Sequence, residues 1–243
     1  MSVSLMLSIV AVTFAGAFTQ ATAGFGAPII MLAFFPHWFP YSTSVTICHL
    51  IALASTLYLV IRYRKSVAWK TLLPVLALSL TIGTIATLFS LQVQSAVMTR
   101  ALGFFLVAVA LFFFLMPPDK KIKATVRNGI IAGSTAGICN GLFGISAPPT
   151  ALYFMGALSE KETYMGTMQA FFLFSNLQSI IVRTAKGSLS GVPFLPILLG
   201  WISILLGTFL GQKLYRRLPL PVIKKIIYIF VALSGVWNII SST

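Results

Sequence analysis

The chain has 243 residues, of which 58% are hydrophobic and only 8% are charged, and its mean hydropathy is +0.98. A soluble domain carries about a quarter charged residues, so the composition excludes a soluble protein and predicts an all-α polytopic membrane protein. The net charge of +14 does not indicate nucleic-acid binding, because Lys and Arg lie in short loops, where a membrane protein keeps them on its cytoplasmic side.

Eight apolar runs are read as spans, and two shorter runs lie between them. A full span takes about 20 residues, whereas eleven helical residues reach about 16 Å, half of a bilayer core. The eight runs are 3–20, 43–61, 70–89, 98–116, 127–142, 163–182, 193–212 and 221–240, and the short runs are 26–36 and 147–157.

Each short run follows a helix-breaking segment that contains Gly and Pro. The first segment reads TQATAGFGAPIIM at 19–31, and the second lies in GICNGLFGISAPPTALYFMG at 137–156. We therefore predict that residues 3–36 and 127–157 form helical hairpins, each with a long arm and a short return arm.

The two breaks indicate an internal duplication, with residues 1–118 as the first repeat and 119–243 as the second. At a spacing of 118 residues, the Phe-Gly pairs of the two breaks align. A two-residue longer turn in the second copy then brings later residues into correspondence. The aligned pairs are Phe25-Gly26 with Phe143-Gly144, Pro28 with Pro148, His49 with Gln169 and Ser55 with Ser175.

The distribution of basic residues predicts an orientation. If the N-terminus is outside and each hairpin returns to its starting side, fourteen Lys and Arg residues lie inside and only Arg100, Arg183 and Lys186 lie outside. This bias follows the positive-inside rule and predicts that both termini are extracytoplasmic. The two repeats are then inverted, each with a broken hairpin and three transmembrane helices, as in many secondary transporters.

Stripes of small residues in the long helices are interpreted as packing contacts between helices, because they allow close approach in lipid. This applies to Gly129, Gly133 and Gly137, and to Gly207 and Gly211. The two cysteines, Cys48 and Cys139, are interpreted as buried small hydrophobes, since neither has the spacing of a metal site or of a CxxC motif.

The breaks place the N-termini of two short helices at membrane depth. Pro28 and Pro148 suit the first turn of a helix, where an N–H group would lack a partner in any case, and Ser146 stands where it could cap the second short helix. Helix N-termini carry partial positive charge and bind anions. Two of them converging predict a site for a small anion.

The polar residues near the breaks are neutral except for His49, and all three acidic residues lie in loops. A cation pathway usually needs an acid inside the membrane, so an anion is favoured. His49 could bind the anion and titrate, or it could be satisfied by a backbone carbonyl. Phe25 and Phe143 could gate the site or simply pack. The predicted substrate-binding residues are Gln20, Thr22, Gly24, Phe25, Gly26, His49, Asn140, Phe143, Gly144, Ser146, Gln169, Ser175 and Asn176.

At these residues the chain resembles the TauE/SafE family of membrane permeases, also called sulfite exporters. The resemblance rests on the two breaks, TAGFGAP and GICNGLFGISAPP, each followed by a short helix and a span with scattered polar residues. It covers essentially the whole chain. It implies transport of sulfite, an organosulfonate or a related organic acid across the cytoplasmic (inner) membrane.

The leading hypothesis is a secondary transporter that moves a small anion by alternating access, with the lipid bilayer as its other partner. Coupling to a proton or a sodium ion and assembly as a homodimer stay open, and no cofactor or metal is expected. The alternative is an anion channel in which both hairpins line one pore. An intramembrane enzyme is disfavoured, because the sequence has no Asp pair in a span, no Ser–His motif and no HExxH.

Overall fold

The computed structural model describes residues 2–115, 123–190, 194–214, 232–233 and 235–240. The regular elements of these residues are all helices, and residues 235–240 are helical as well. The helices are α1 (Val3–Ala23), α2 (Ala27–Phe34), α3 (Tyr41–Tyr63), α4 (Trp69–Ser90), α5 (Ser95–Leu115), α6 (Val126–Phe143), α7 (Ala147–Ala157), α8 (Lys161–Ala185) and α9 (Phe194–Leu214).

Six helices are long and apolar enough to cross a membrane, which confirms the all-α polytopic class. They are α1, α3, α4, α5, α8 and α9. Helix α6 forms at its predicted place but is not among the six, because its glycines and asparagines lower its hydropathy. Each predicted span that lies within the described residues agrees with a helix to within three residues at either end. Most of the span predicted at 221–240 lies outside the described residues.

Both predicted helix breaks are present, and glycine makes each of them. Helix α1 ends at Gly24 (φ +86°), and α6 ends at Gly144 (φ +67°). Glycine adopts this left-handed conformation without steric cost. Each glycine N–H bonds back to the carbonyl four residues earlier, from Gly24 to Gln20 at 2.9 Å and from Gly144 to Asn140 at 2.8 Å. In both copies three residues separate the long helix from the short one.

Because both turns have three residues, the alignment predicted from the sequence has to be shifted by two positions at the breaks. Gly24 and Gly144 have the same role and lie 120 residues apart, so the second turn has no two-residue insertion. The alignment of Phe25-Gly26 with Phe143-Gly144 is wrong, because Phe143 is the last residue of α6 whereas Phe25 lies in the turn. Backbone conformation, rather than the shared letters, defines which positions correspond.

Small residues let two pairs of helices approach closely. A Cβ on Gly207 of α9 would lie 2.7 Å from Phe14 O of α1, and one on Gly137 of α6 would lie 2.7 Å from Ser79 O of α4. These contacts agree with the packing interpretation of the glycine stripes. Gly129 differs, since it faces the Tyr153 hydroxyl of α7.

The long helix before each break packs against a helix from the other part of the chain. Helix α1 lies along α9, and α6 lies along α4. Both pairs are parallel, because contacts advance in the same direction along each chain, as from Gly207 at Phe14 to Gly211 at Phe18. Helices α3 and α8 are antiparallel and are the two most buried of the six apolar helices. The start of α3 meets the segment after α8, with Ser42 Oγ 2.8 Å from Ser188 Oγ.

Candidate functional site

A narrow cavity lies between the two breaks. Its free volume is about 10 Å³, so this conformation has room for about one water molecule. Residues from α1, α2, α3, α6, α7 and α8 and from both turns form its wall. They are Gln20, Gly26, Pro28, Ile29, Thr56, Asn140, Gly144, Ile145, Ser146, Ala147, Phe172 and Asn176.

Both short helices begin at this cavity. Pro28 and Pro148 occupy first-turn positions of α2 and α7, as predicted. No side chain caps either N-terminus, so their N–H groups are not occupied by a capping oxygen. The prediction that the Ser146 side chain caps α7 is wrong: its backbone (φ −100°, ψ −6°) lacks the extended conformation that directs a capping side chain towards the first turn.

Three pairs of positions 120 residues apart meet on the cavity wall: Gln20 with Asn140, Gly26 with Ser146, and Thr56 with Asn176. All six residues are buried. The polar members are amides and hydroxyls, which are neutral and can donate hydrogen bonds to an anion. Among the described residues, no acidic or basic side chain lines the wall.

The sequence analysis missed six wall residues, of which Thr56 is the one with a polar side chain. The alignment of Ser55 with Ser175 already had the correct spacing, and extending it by one residue pairs Thr56 with Asn176. In this conformation the Thr56 hydroxyl donates to Ala52 O at 3.0 Å, within its own helix. It must rotate to meet a ligand.

His49 and Gln169 support the breaks and do not line the cavity. His49 Nε2 donates to Gly144 O at 3.2 Å, and Gln169 Nε2 donates to Gly24 O at 2.9 Å. A carbonyl oxygen only accepts, so the His49 hydrogen in this contact is on Nε2. Each residue therefore holds the turn glycine of the other repeat. His49 Nδ1 is buried and has no partner among the described residues.

The other predicted residues off the wall bond or pack within the protein. Thr22 Oγ1 donates to Phe18 O at 2.9 Å within α1, and the Ser175 hydroxyl is buried. Phe25 lies in the apolar core, and Phe143 stacks on Phe105 with ring centroids 4.5 Å apart. The packing interpretation fits both rings. Six of the thirteen predicted residues line the cavity: Gln20, Gly26, Asn140, Gly144, Ser146 and Asn176.

The sequence analysis misplaced one charged residue, Arg183. It assigned Arg183 to an outside loop after a span that ends at 182, but α8 continues to Ala185 and the Arg183 side chain is fully buried. A charge at the end of an apolar run resembles a loop residue when hydropathy alone is considered. His49 is therefore not the only ionisable residue inside the helical bundle.

The Arg183 guanidinium bonds to neutral groups near the α6–α7 turn. Its Nη2 donates to Gly141 O at 2.9 Å and to Ser90 Oγ at 3.2 Å. Its Nη1 lies 3.4 Å from Ser42 Oγ, and its Nε lies 3.3 Å from Ser179 Oγ. Nearby, the Tyr41 hydroxyl donates to Leu142 O. The freed carbonyls at the end of α6 are thus satisfied by side chains from α3 and α8.

The described residues contain no group of three His, Cys, Asp or Glu side chains arranged to hold a metal ion. Cys48 and Cys139 are both free thiols; Cys48 is buried and Cys139 is half-buried. The chemistry available at the cavity is therefore that of backbone N–H groups, amides and hydroxyls.

Comparison with known proteins gives one match. A family model described as sulfite exporter TauE/SafE matches residues 8–237, nearly the whole chain. No curated protein and no solved structure matches the chain.

Proposed function

The chain belongs to the sulfite exporter TauE/SafE family, whose members are membrane transporters of sulfite or related anions, and on that premise we propose that it is a secondary transporter that works by alternating access. Its substrate is sulfite, an organosulfonate or a related small organic acid, and it works in the cytoplasmic membrane. The substrate-binding site is the cavity between the two breaks.

The observation that carries this proposal is the meeting of two uncapped helix N-termini at one cavity without a carboxylate on its wall. The N-terminal turns of α2 and α7 offer N–H groups with partial positive charge. Asn176 adds an amide donor, and Gln20 and Asn140, which each use one amide N–H at Gln169 Oε1 and Ser175 O, have a second N–H to offer. A sulfite or sulfonate group presents three oxygen acceptors, and this donor set matches them.

Alternating access is supported by the arrangement of the helices. If the repeats are inverted copies, α1 and α6 are equivalent, as are α4 and α9. The exchange of packing partners, the two parallel pairs and the antiparallel α3 and α8 are what such copies require. Transporters of this kind rock one repeat against the other around a central site. Because the cavity is tight in this conformation, the substrate enters only after such a movement.

The test is counterflow of sulfite in proteoliposomes that contain the purified protein. A carrier gives substrate-saturable counterflow, whereas a channel, the second class considered above, gives steady unitary currents in planar bilayers. Sulfoacetate and taurine, run alongside sulfite, distinguish a sulfonate anion from a zwitterion. Absence of counterflow for both sulfite and sulfoacetate would contradict the proposal.

Asn140→Ala tests the site itself. It removes an amide from the cavity wall, and we expect the half-saturating sulfite concentration to rise roughly tenfold, the effect of losing one hydrogen bond to a charged group. The matched control is Asn128→Ala on the same helix, because Asn128 bonds to Lys123 O away from this cavity. Equal losses in both variants would argue against the assigned site.

A further inference from the structure

Tyr63 and Arg183 lie 120 residues apart, at the ends of α3 and α8, and both reach a broken helix. Arg183 donates directly to Gly141 O of α6. Tyr63 acts through one intermediate: its hydroxyl donates to Gln212 Oε1 at 2.8 Å, and Gln212 Nε2 donates to Ala21 O of α1 at 2.9 Å. Ala21 and Gly141 are also 120 residues apart. The same backbone carbonyl is therefore held in both copies.

The two connections differ in charge. The one at Tyr63 is neutral, whereas the one at Arg183 carries a full positive charge inside the bundle. The contacts of Arg183 are three hydroxyls and one carbonyl, none of which is negative. The two acidic residues in the described part of the chain, Glu160 and Glu162, are exposed near the other end of α8, about 30 Å away along the helix.

A buried charge without a counter-ion is costly, and within a membrane protein such residues usually serve transport. Each hydroxyl or carbonyl partner of Arg183 is a weaker acceptor than an anionic oxygen. The planar guanidinium also matches an oxyanion better than it matches scattered hydroxyls, because two parallel N–H groups can bind two oxygens at once. A small oxyanion would therefore bind this guanidinium more strongly than the partners that it has among the described residues.

The present partners of Arg183 come from four helices. Gly141 belongs to α6, Ser90 is the last residue of α4, Ser42 is at the start of α3, and Ser179 is one turn earlier on α8. Three of these bonds connect α8 with α3, α4 and α6 at one end of the bundle. Any movement that opens this end must break several of them.

We infer that Arg183 is an anion-responsive gate: it keeps its end of the bundle closed, and the transported oxyanion opens that end by taking over the guanidinium N–H groups. This inference rests on the proposed transport of a small anion. At the Tyr63 end the Arg62 guanidinium lies over the Tyr63 ring, 5.9 Å from its centroid, but Arg62 is exposed and not buried, so only the Arg183 end responds directly to the anion. On the predicted orientation, the Arg183 end faces the outside.

The test is hydrogen exchange of the purified protein, followed by mass spectrometry, with and without sulfite; sulfoacetate is run alongside. The informative amides are those at the end of α4 and after α8, near Ser90 and Ser188. In the wild type, the anion should raise their exchange rate. In Arg183→Gln their exchange should already be roughly tenfold faster without anion, since charged hydrogen bonds are lost, and the anion should add nothing.

Three further variants separate a gate from a merely structural residue. Arg183→Lys keeps the charge and should keep the response to anion. Ser90→Ala removes one closing contact, so it should raise the basal exchange and keep the response. Tyr63→Phe is the matched control at the equivalent position. It should loosen only its own end, near Gln212, and leave the Arg183 end unchanged.

A wild-type response that persists in full in Arg183→Gln overturns the gate. Should Arg183→Gln not give a monodisperse protein, basal exchange in Ser90→Ala that equals that of the wild type overturns the gate instead. If the wild type shows neither thermal stabilisation nor altered exchange with either anion, the proposed function fails, and the gate fails with it.

Discussion

At the scale of single residues, a polar side chain near the breaks has one of two roles. Gln20, Asn140 and Asn176 line the cavity, although the Gln20 amide also donates to Gln169 Oε1 at 3.2 Å and the Asn140 amide to Ser175 O at 3.5 Å. His49 and Gln169 instead satisfy the carbonyls that the broken helices leave without an intrahelical partner. This division follows from the membrane environment, in which backbone groups freed at a break need partners from within the protein.

The equivalence of His49 and Gln169 gives a prediction about stability. His49→Gln should keep the fold, because a glutamine makes the same bond at the equivalent position. His49→Leu leaves Gly144 O without its donor and should cost about 1–3 kcal/mol of unfolding free energy. Thermal unfolding of the purified variants measures this difference. If His49→Leu unfolds at the wild-type temperature, His49 does not support the turn.

At the scale of helices, the two breaks are positioned by close packing behind them. The broken helix α6 lies against α4 through Gly133, Gly137 and Gly141, where an added Cβ would lie 2.5–2.7 Å from atoms of α4. Such contacts leave no room for a side chain. The position of the α6–α7 turn relative to the cavity therefore depends on this interface.

Enlarging one of these glycines should displace the turn. Gly137→Val places methyl groups against Ser79 O of α4, and we expect a loss of about 1–3 kcal/mol, the usual cost of overpacking a tight contact. Thr135→Val is the control, because Thr135 is exposed on the same helix. The unfolding temperature and the affinity for sulfite should both fall in Gly137→Val, and neither should fall in Thr135→Val. Equal behaviour of the two variants would show that α6 tolerates displacement from α4.

At the scale of the whole molecule, the packing of the described helices agrees with the proposed duplication, and the basic residues predict which side is cytoplasmic. Of the fourteen residues assigned to the inside, six lie outside the described residues: Lys120, Lys121, Arg216, Arg217, Lys224 and Lys225. The remaining eight basic residues on the inside still outnumber the two on the outside, Arg100 and Lys186. Arg183 no longer counts as an outside loop residue, because it lies within α8. The extracytoplasmic placement of the termini stays a prediction.

Labelling of intact cells tests this orientation. In a background with both native cysteines replaced by alanine, Ser4→Cys near the N-terminus should react with a membrane-impermeant maleimide. Lys65→Cys, in the turn after α3, should react only after the cells are permeabilised. Both positions are exposed, so accessibility depends on the side of the membrane. The reverse pattern would invert the assigned topology, with the Arg183 end then cytoplasmic.

The sequence alone determined the helices and the positions of both breaks. Apolar runs of sufficient length, left-handed glycines and prolines in the first turn are local signals, and each acts over a few residues. The sequence also predicted that two short helices begin near the breaks, and both begin at one cavity; that this cavity binds an anion stays a prediction. Six predicted residues line the cavity.

Only the tertiary structure decided which polar groups face the cavity and which bond to the backbone. His49 meets a carbonyl 95 residues away, Gln169 one 145 residues away and Arg183 one 42 residues away. Such distant partners leave no periodic signal in the chain. For the same reason Arg183 resembled a loop residue until the packing of α3, α4, α6 and α8 around it supplied the acceptors that allow a charge to be buried there.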